Sequence, residues 1–417
     1  MHIKFTILTL TLGASCFISG TSAVKNHLSK QSHSTKKIAP KKCILVKVKK
    51  LPIKPPLTPA AKQLSTTALT KDQQHQLSEK SVLLLDNTVI KRLNLTTGKL
   101  TKGPATIPAG HAPISLATSI THLYHSSLGP KNGAQYVTTH ELSKPANTHT
   151  FTLEPKIHIR SALFHPSEPY LYLVTYAYTK QTTSLWKINL TTQTTTRTKL
   201  SNLTSPHAGV LTADGRHLYL LTNGYCCWEK PTPGVVYKLD LDNRAKKAAK
   251  ILIDGRCPHA LALAPNQEKL YVTLVDGLGV QTINKDQAGQ VIALGPKKDI
   301  LQKYPEQITF NPDGSRAIVT IFGDYHKPAG IALIDAQQDC LLQIIAPAVS
   351  FFSLLKIPNT ALALVQQVPN YAEEEDDLRP KDKMQLYLID MNRGALIKSY
   401  RLGISETKEA LEMALMP

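Results

Sequence analysis

Acidic side chains, aromatics and long apolar runs are all scarce in this chain of 417 residues. Asp and Glu number 30 against 49 Lys and Arg, and aromatics make up 6% of the whole with 2 Trp. Beyond residue 23 no stretch approaches the ~20 consecutive apolar residues that a membrane-spanning helix needs, which excludes a helical membrane protein for the bulk of the chain. Six cysteines in such a length exclude a small disulfide-stapled scaffold. Also missing are H-E-x-x-H, G-x-S-x-G and a phosphate-binding glycine loop, so no familiar hydrolase or nucleotide-binding motif is present.

The formal charge is +19, and its distribution is uneven. Residues 1–23 read as an export signal: Lys4 forms the positive n-region, residues 5–18 the apolar stretch, and Thr21-Ser22-Ala23 the cleavage site. A lipid anchor on Cys16 is the alternative, against which Gly13 stands where the usual lipobox has Leu. Residues 24–77 carry 12 Lys, no Arg and the single acid Asp72, with Pro40, Pro52, Pro55, Pro56 and Pro59 spread along them. This composition reads as a flexible, largely disordered arm. Only Cys43-Ile44-Leu45-Val46-Lys47-Val48 has strand character. The lysines suit a polyanion contact such as nucleic acid, anionic lipid or polysaccharide, or else a solvated tether; no aromatics are interleaved for bases to stack on.

Residues 78–417 repeat internally. An apolar run ending in Asn or Asp recurs with its anchor at Asn94, Asn189, Asp240, Asn284, Asp335 and Asp390. The first interval is double the others, which predicts a degenerate copy near residue 141. Between anchors lies a second unit, seen in Ala208-Gly209-Val210-Leu211-Thr212-Ala213-Asp214-Gly215 before Leu218-Tyr219, and in Ala260-Leu261-Ala262-Leu263-Ala264-Pro265-Asn266 before Leu270-Tyr271. Turn residues flanked by alternating apolar runs give two hairpins per period, hence a four-stranded antiparallel blade with one face of each strand turned to the core. Seven copies predict an all-β, seven-bladed β-propeller over residues 78–417. The ring is expected to close by Ala410-Leu411-Glu412-Met413-Ala414 acting as innermost strand beside residues 82–85; a short helix over residues 406–415 competes on propensity.

Leu218-Tyr219-Leu220-Leu221-Thr222-Asn223 and Leu270-Tyr271-Val272-Thr273 resemble the YVTN repeats of bacterial surface and periplasmic propellers, a group similar in fold to propeller-type lactonases. The resemblance implies the fold and leaves activity open, since that family's catalytic residues do not map onto this chain one by one.

Aligning the innermost strands places Ala112, Arg160, His207, His259, Glu306, Phe351 and Glu409 around one mouth of the central channel. Pro206-His207 and Pro258-His259 share their context on neighbouring blades. His, Glu and Arg converging there could bind a metal through His207 and His259, orient an anionic ligand, or run acid/base hydrolysis. A water-filled channel lining is the plain alternative. Cys226, Cys227 and Cys257 are candidates for a disulfide, with Cys257 partnering one of the vicinal pair. Cys226-Cys227-Trp228 resembles a feature of quinone-dependent dehydrogenase propellers, whose repeat motif is missing here, and no cofactor is required by the sequence. Glu373-Glu374-Glu375-Asp376-Asp377 could collect calcium or the Lys-rich arm, but without alternating ligand spacing or a turn glycine it reads as a solvated loop tip. The expectation is an exported propeller, periplasmic or secreted, that binds a protein, glycan or small ligand on its loop faces. A lactonase-like hydrolase and a polyanion-binding propeller are the alternatives.

Overall fold

The structure is a computed structural model. It describes residues 68–416 apart from 79, 87–88, 109–111, 120, 130–133, 202, 204, 223–232, 244–247, 275–278, 285, 295–302, 324–329, 347–348, 368–384 and 403–411. The export signal, most of the Lys-rich arm, Cys226, Cys227, the acidic run and Glu409 therefore lie outside the described residues. Among the described residues no helix is long and apolar enough to cross a membrane.

Val, Ile, Leu, Thr and Tyr build 28 strands among the described residues. Blade one holds β1 (Ser81–Asp86), β2 (Val89–Asn94) and β3 (Leu100–Thr106); blade two holds β4 (Ala112–Thr118), β5 (His122–Leu128), β6 (Gln135–Glu141) and β7 (Lys144–Thr152). Blade three runs through β8 (Ile157–Phe164), β9 (Tyr170–Ala177), β10 (Thr182–Asn189) and β11 (Thr195–Leu200). Blade four runs through β12 (Pro206–Leu211), β13 (His217–Thr222), β14 (Pro233–Asp240) and β15 (Ala249–Arg256). In blade five the strands are β16 (Pro258–Leu263), β17 (Lys269–Leu274), β18 (Gly279–Asn284) and β19 (Gln287–Ala293). Blade six has β20 (Lys303–Phe310), β21 (Arg316–Gly323), β22 (Gly330–Asp335) and β23 (Cys340–Ile345). The seventh blade has β24 (Phe351–Lys356), β25 (Leu362–Gln367), β26 (Gln385–Asp390) and β27 (Ala395–Arg401), and β28 (Glu412–Met416) completes blade one.

All seven sheets are four-stranded, and the one that closes the ring has the order β28-β1-β2-β3. Ser81 pairs with Met416 and Leu85 with Glu412, both antiparallel. The closing strand is thus real, shifted two residues beyond its expected place, and the competing helix is not formed over residues 412–416.

Every sequence anchor is the last residue of a third strand, including Glu141 at the predicted degenerate copy. Asn94, Asn189, Asp240, Asp335 and Asp390 each accept two backbone N–H groups from the turn that follows, through one side-chain oxygen. This is the Asx turn that reverses the chain into the outer strand. Glu141 does the work differently, accepting from Ser143 Oγ and Asn147 Nδ2.

The expectation of one buried face per strand fails in the middle of the blades, and burial falls away toward the rim. β22 is buried along its whole length, while β11 is largely exposed. Each blade is sandwiched between two neighbours, so its middle strands lose both faces to apolar packing, as in the cluster of Tyr271, Val280, Ile292, Phe310, Val319 and Ile334 between blades five and six.

Among the described residues a helix, α1 (Lys71–Leu77), forms in what the composition marks as arm. Thr70 and Gln73 make a reciprocal capping box, Leu77 is fully buried, and Gln73 Nε2 donates to Asp390 Oδ2 at 2.7 Å. The Thr-x-x-Gln spacing was the available signal. Pro206 at the start of β12 pairs with Thr222 at the end of β13, whereas His217 pairs with Asp240. Inner strands therefore begin at one end of the ring, called here the mouth end, and the Asx turns, α1 and Met416 lie at the other, the turn end.

Candidate functional site

Six inner strands carry an irregularity at the same register. The pairing skips at Ile114, Arg160 and His207, at His259 and Ala260, at Glu306 and Gln307, and at Phe352 and Ser353. A bulge of this kind bends the strand and leaves an amide unpaired. In blades five and six a threonine hydroxyl takes it: Ala260 N donates to Thr273 Oγ1 at 2.8 Å and Gln307 N to Thr320 Oγ1 at 3.1 Å. Ser205 and Cys257, which turn the chain into β12 and β16, hold positive φ values of 47° and 49°. The turn and the bulge together aim His207 and His259.

Arg160, His207, His259 and Glu306 thus occupy equivalent positions on four consecutive blades. The His207 and His259 rings lie 4.5 Å apart between centroids, tilted by 50°. His259 Nδ1 is 3.2 Å from Glu306 Oε2 and 3.2 Å from the Glu306 carbonyl oxygen. A carbonyl only accepts, so Nδ1 is the donor in that contact, which leaves Nε2 as the other ring nitrogen of the site. Burial pushes the His207 pKa well below the ordinary imidazole value, helped by His259 and Arg160, so this ring is neutral. Burial raises the Glu306 carboxyl, opposed by His259. The Arg160 guanidinium lies 5.1 Å above the Tyr178 ring, and its buried Nε has no hydrogen-bond partner among the described residues. Tyr178 also meets His158 and Tyr176 edge-on, each 5.0 Å between centroids.

Two sequence-based placements need correcting. Phe351 is fully buried against Tyr387, and the residue at the mouth register is Phe352. Ala112 opens β4, and Ile114 holds the equivalent position. Both errors come from counting to the strand start, whereas the bulge lies inside the strand. Cys257 is buried and makes no disulfide among the described residues, and its expected partners Cys226 and Cys227 lie outside them, as does Glu409. Among the described residues no group of three or more His, Cys, Asp or Glu side chains is arranged to hold a metal ion. His158, Tyr176 and Tyr178 were missed; their signal was alternation with Arg160 and pairing across β8 and β9.

The site is a half-enclosed polar rim with one cation, two imidazoles and a carboxyl of raised pKa. It can orient an anionic group on Arg160 and exchange a proton through His259 Nε2.

No protein-family model matches the chain, and no curated protein matches it. Solved structures do. A protein from Lactobacillus plantarum is similar at a TM-score of 0.56 and 15% identity, over 80% of this chain and 99% of that one. A protein of Bacteroides uniformis described as a candidate 6-phosphogluconolactonase is similar at 0.54 and 14%, over 80% and 99%. A chain of Kuenenia stuttgartiensis hydrazine synthase aligns over 58% of this chain and 65% of its own length at 0.47, too loose to carry an argument. At such identities the likeness shows the fold, and the chain is a seven-bladed β-propeller of four-stranded blades with lactonase-like structural neighbours.

Proposed function

We propose that this propeller is an exported ligand-binding module that takes a small polar ligand bearing an anionic group at its mouth end. One observation carries the reading: Arg160, His207, His259 and Glu306 stand at the same bulge register on four consecutive blades. An unpaired buried guanidinium nitrogen is costly unless something accepts its proton, and a ligand oxyanion would do so. Export rests on residues 1–23, and the Lys-rich arm serves as the tether.

Lactone hydrolysis is the second reading. His259 Nε2 as base beside a carboxyl of raised pKa supports it, as does a structural neighbour whose description names a lactonase.

Calorimetric titration of the mature protein with sugar acids, sugar phosphates and their lactones tests both. Binding weakened about tenfold or more by Arg160→Leu, with no turnover, supports the module. Lactone turnover abolished by His259→Ala would replace it with the hydrolase, and no binding of any of these compounds would sink both.

A further inference from the structure

The internal repeat allows each blade to be read against six others. In every blade the penultimate residue of the third strand pairs with a residue of the second strand, and two positions beyond that residue lies another on the same face. The penultimate residues are Leu93, Ile188, Leu239, Ile283, Ile334 and Ile389 in six blades. Their second-strand neighbours are Leu84, Leu173, Leu220, Val272, Val319 and Val365, and all twelve are buried. Blade two alone breaks the pattern, placing His140 and His125 there, 7% and 1% exposed.

These two histidines stand where the apolar interface with blade one should continue from Leu83, Leu85, Ile90 and Leu123. His125 Nε2 and His140 Nε2 are 3.1 Å apart, one donating and one accepting. They line a cavity of about 620 Å³ between the outer halves of blades one and two, within the range of small-ligand sites. Thr138 and Thr150, hydrogen-bonded to each other at 3.0 Å, share the wall with Thr106 and Lys102. None of the described residues lining it is acidic. Hydroxyls, imidazoles and one ammonium supply donors and positive charge, with no carboxylate to repel an anion.

We propose that this cleft is a second ligand site, distinct from the channel mouth, which binds the oxyanion group of a small molecule, a phosphate monoester or a carboxylate, against His125, His140 and Lys102. Exchanging two core aliphatics for imidazoles forfeits apolar burial, and an anionic occupant of the cavity that they line gives the exchange a purpose.

The repeat also supplies the test variant. His125→Leu/His140→Ile restores what the other blades carry, so it folds with an unfolding midpoint equal to or above that of the unaltered protein. Midpoints are measured at matched ionic strength with inorganic phosphate, glucose 6-phosphate, gluconate and zinc, in the unaltered protein, the double variant, Arg160→Leu and the two combined. The expected result is a concentration-dependent rise with glucose 6-phosphate or gluconate, and which of the two identifies the oxyanion. A response remains in Arg160→Leu, where the mouth site is weakened, and adding His125→Leu/His140→Ile to Arg160→Leu lowers its apparent affinity about tenfold or more. No response to any anion overturns the proposal. So does a response that Arg160→Leu alone abolishes, one that the added histidine substitutions leave unchanged, or a response to zinc alone.

Discussion

His207 is neutral because ionising it would place a charge in a buried position already facing Arg160 and His259. Its folded pKa lies below the ordinary value of about 6.5, so below that pH the unfolded chain binds more protons than the folded one. Stability from this group is fully present above about pH 6.5 and drains as the pH falls toward the folded value. Glu306 has the opposite sign, since its raised carboxyl keeps a proton that the unfolded chain releases, and its contribution is lost as pH rises through the folded value. Unfolding midpoints measured from about pH 5 to about pH 8 should therefore show an acid decline that His207→Asn flattens, while Glu306→Gln gains most at the alkaline end. An acid limb unchanged in His207→Asn would mean that the ring is solvated. Pro206-His207 and Pro258-His259 made this pair legible in the sequence. The register of Phe352 was not legible, because a bulge adds a residue without any mark in composition.

Between blades the sheet elements are clasped by a recurring device. Tyr271 Oη and Lys269 Nζ both donate to Asp339 Oδ1, the latter at 2.7 Å, and Asp339 sits in the turn that ends the third strand of the next blade. Tyr219 and Lys238 meet Asp286 in the same way, at 2.9 and 2.7 Å. Both aspartates hold positive φ, 52° and 64°, a region that Asp tolerates better than most residues, which turns the carboxylate back toward the preceding blade. Tyr400 Oη and Lys398 Nζ reach the Leu95 carbonyl across the ring closure instead. Tyr271→Phe removes a hydrogen bond to a mostly buried carboxylate and should cost about 1–2 kcal/mol in denaturant unfolding, with Tyr219→Phe costing less at its more exposed partner. Equal, negligible losses in both would reduce the clasp to surface decoration. The Leu-Tyr pairs themselves stood out in the sequence as the repeat. Their acceptors did not, because each lies more than sixty positions away and only ring geometry brings it near.

At the scale of the ring, closure depends on a five-residue strand whose Ala, Leu, Glu and Met composition favours a helix. The open edge of β1 decides otherwise, since pairing satisfies its backbone and buries Ala414 beside Leu83 and Leu85. Deleting residues 412–417 should lower stability by about 4 kcal/mol or more and promote self-association through the exposed edge, read by urea unfolding and light scattering. An unchanged monomer with an unchanged transition would show that the ring holds without its clasp. The blade count was legible from the anchor spacing, and the closing strand only as one of two options, because its fate is set by a partner more than three hundred residues away.

The two chain crossings of the ring have a directional consequence. α1 seats on Asp390 and Met416 pairs with Ser81, so the polypeptide joins the propeller from beneath on both sides of residues 71–416. Arg160, His207, His259 and Glu306 stand at the opposite end of the ring, clear of both of these junctions.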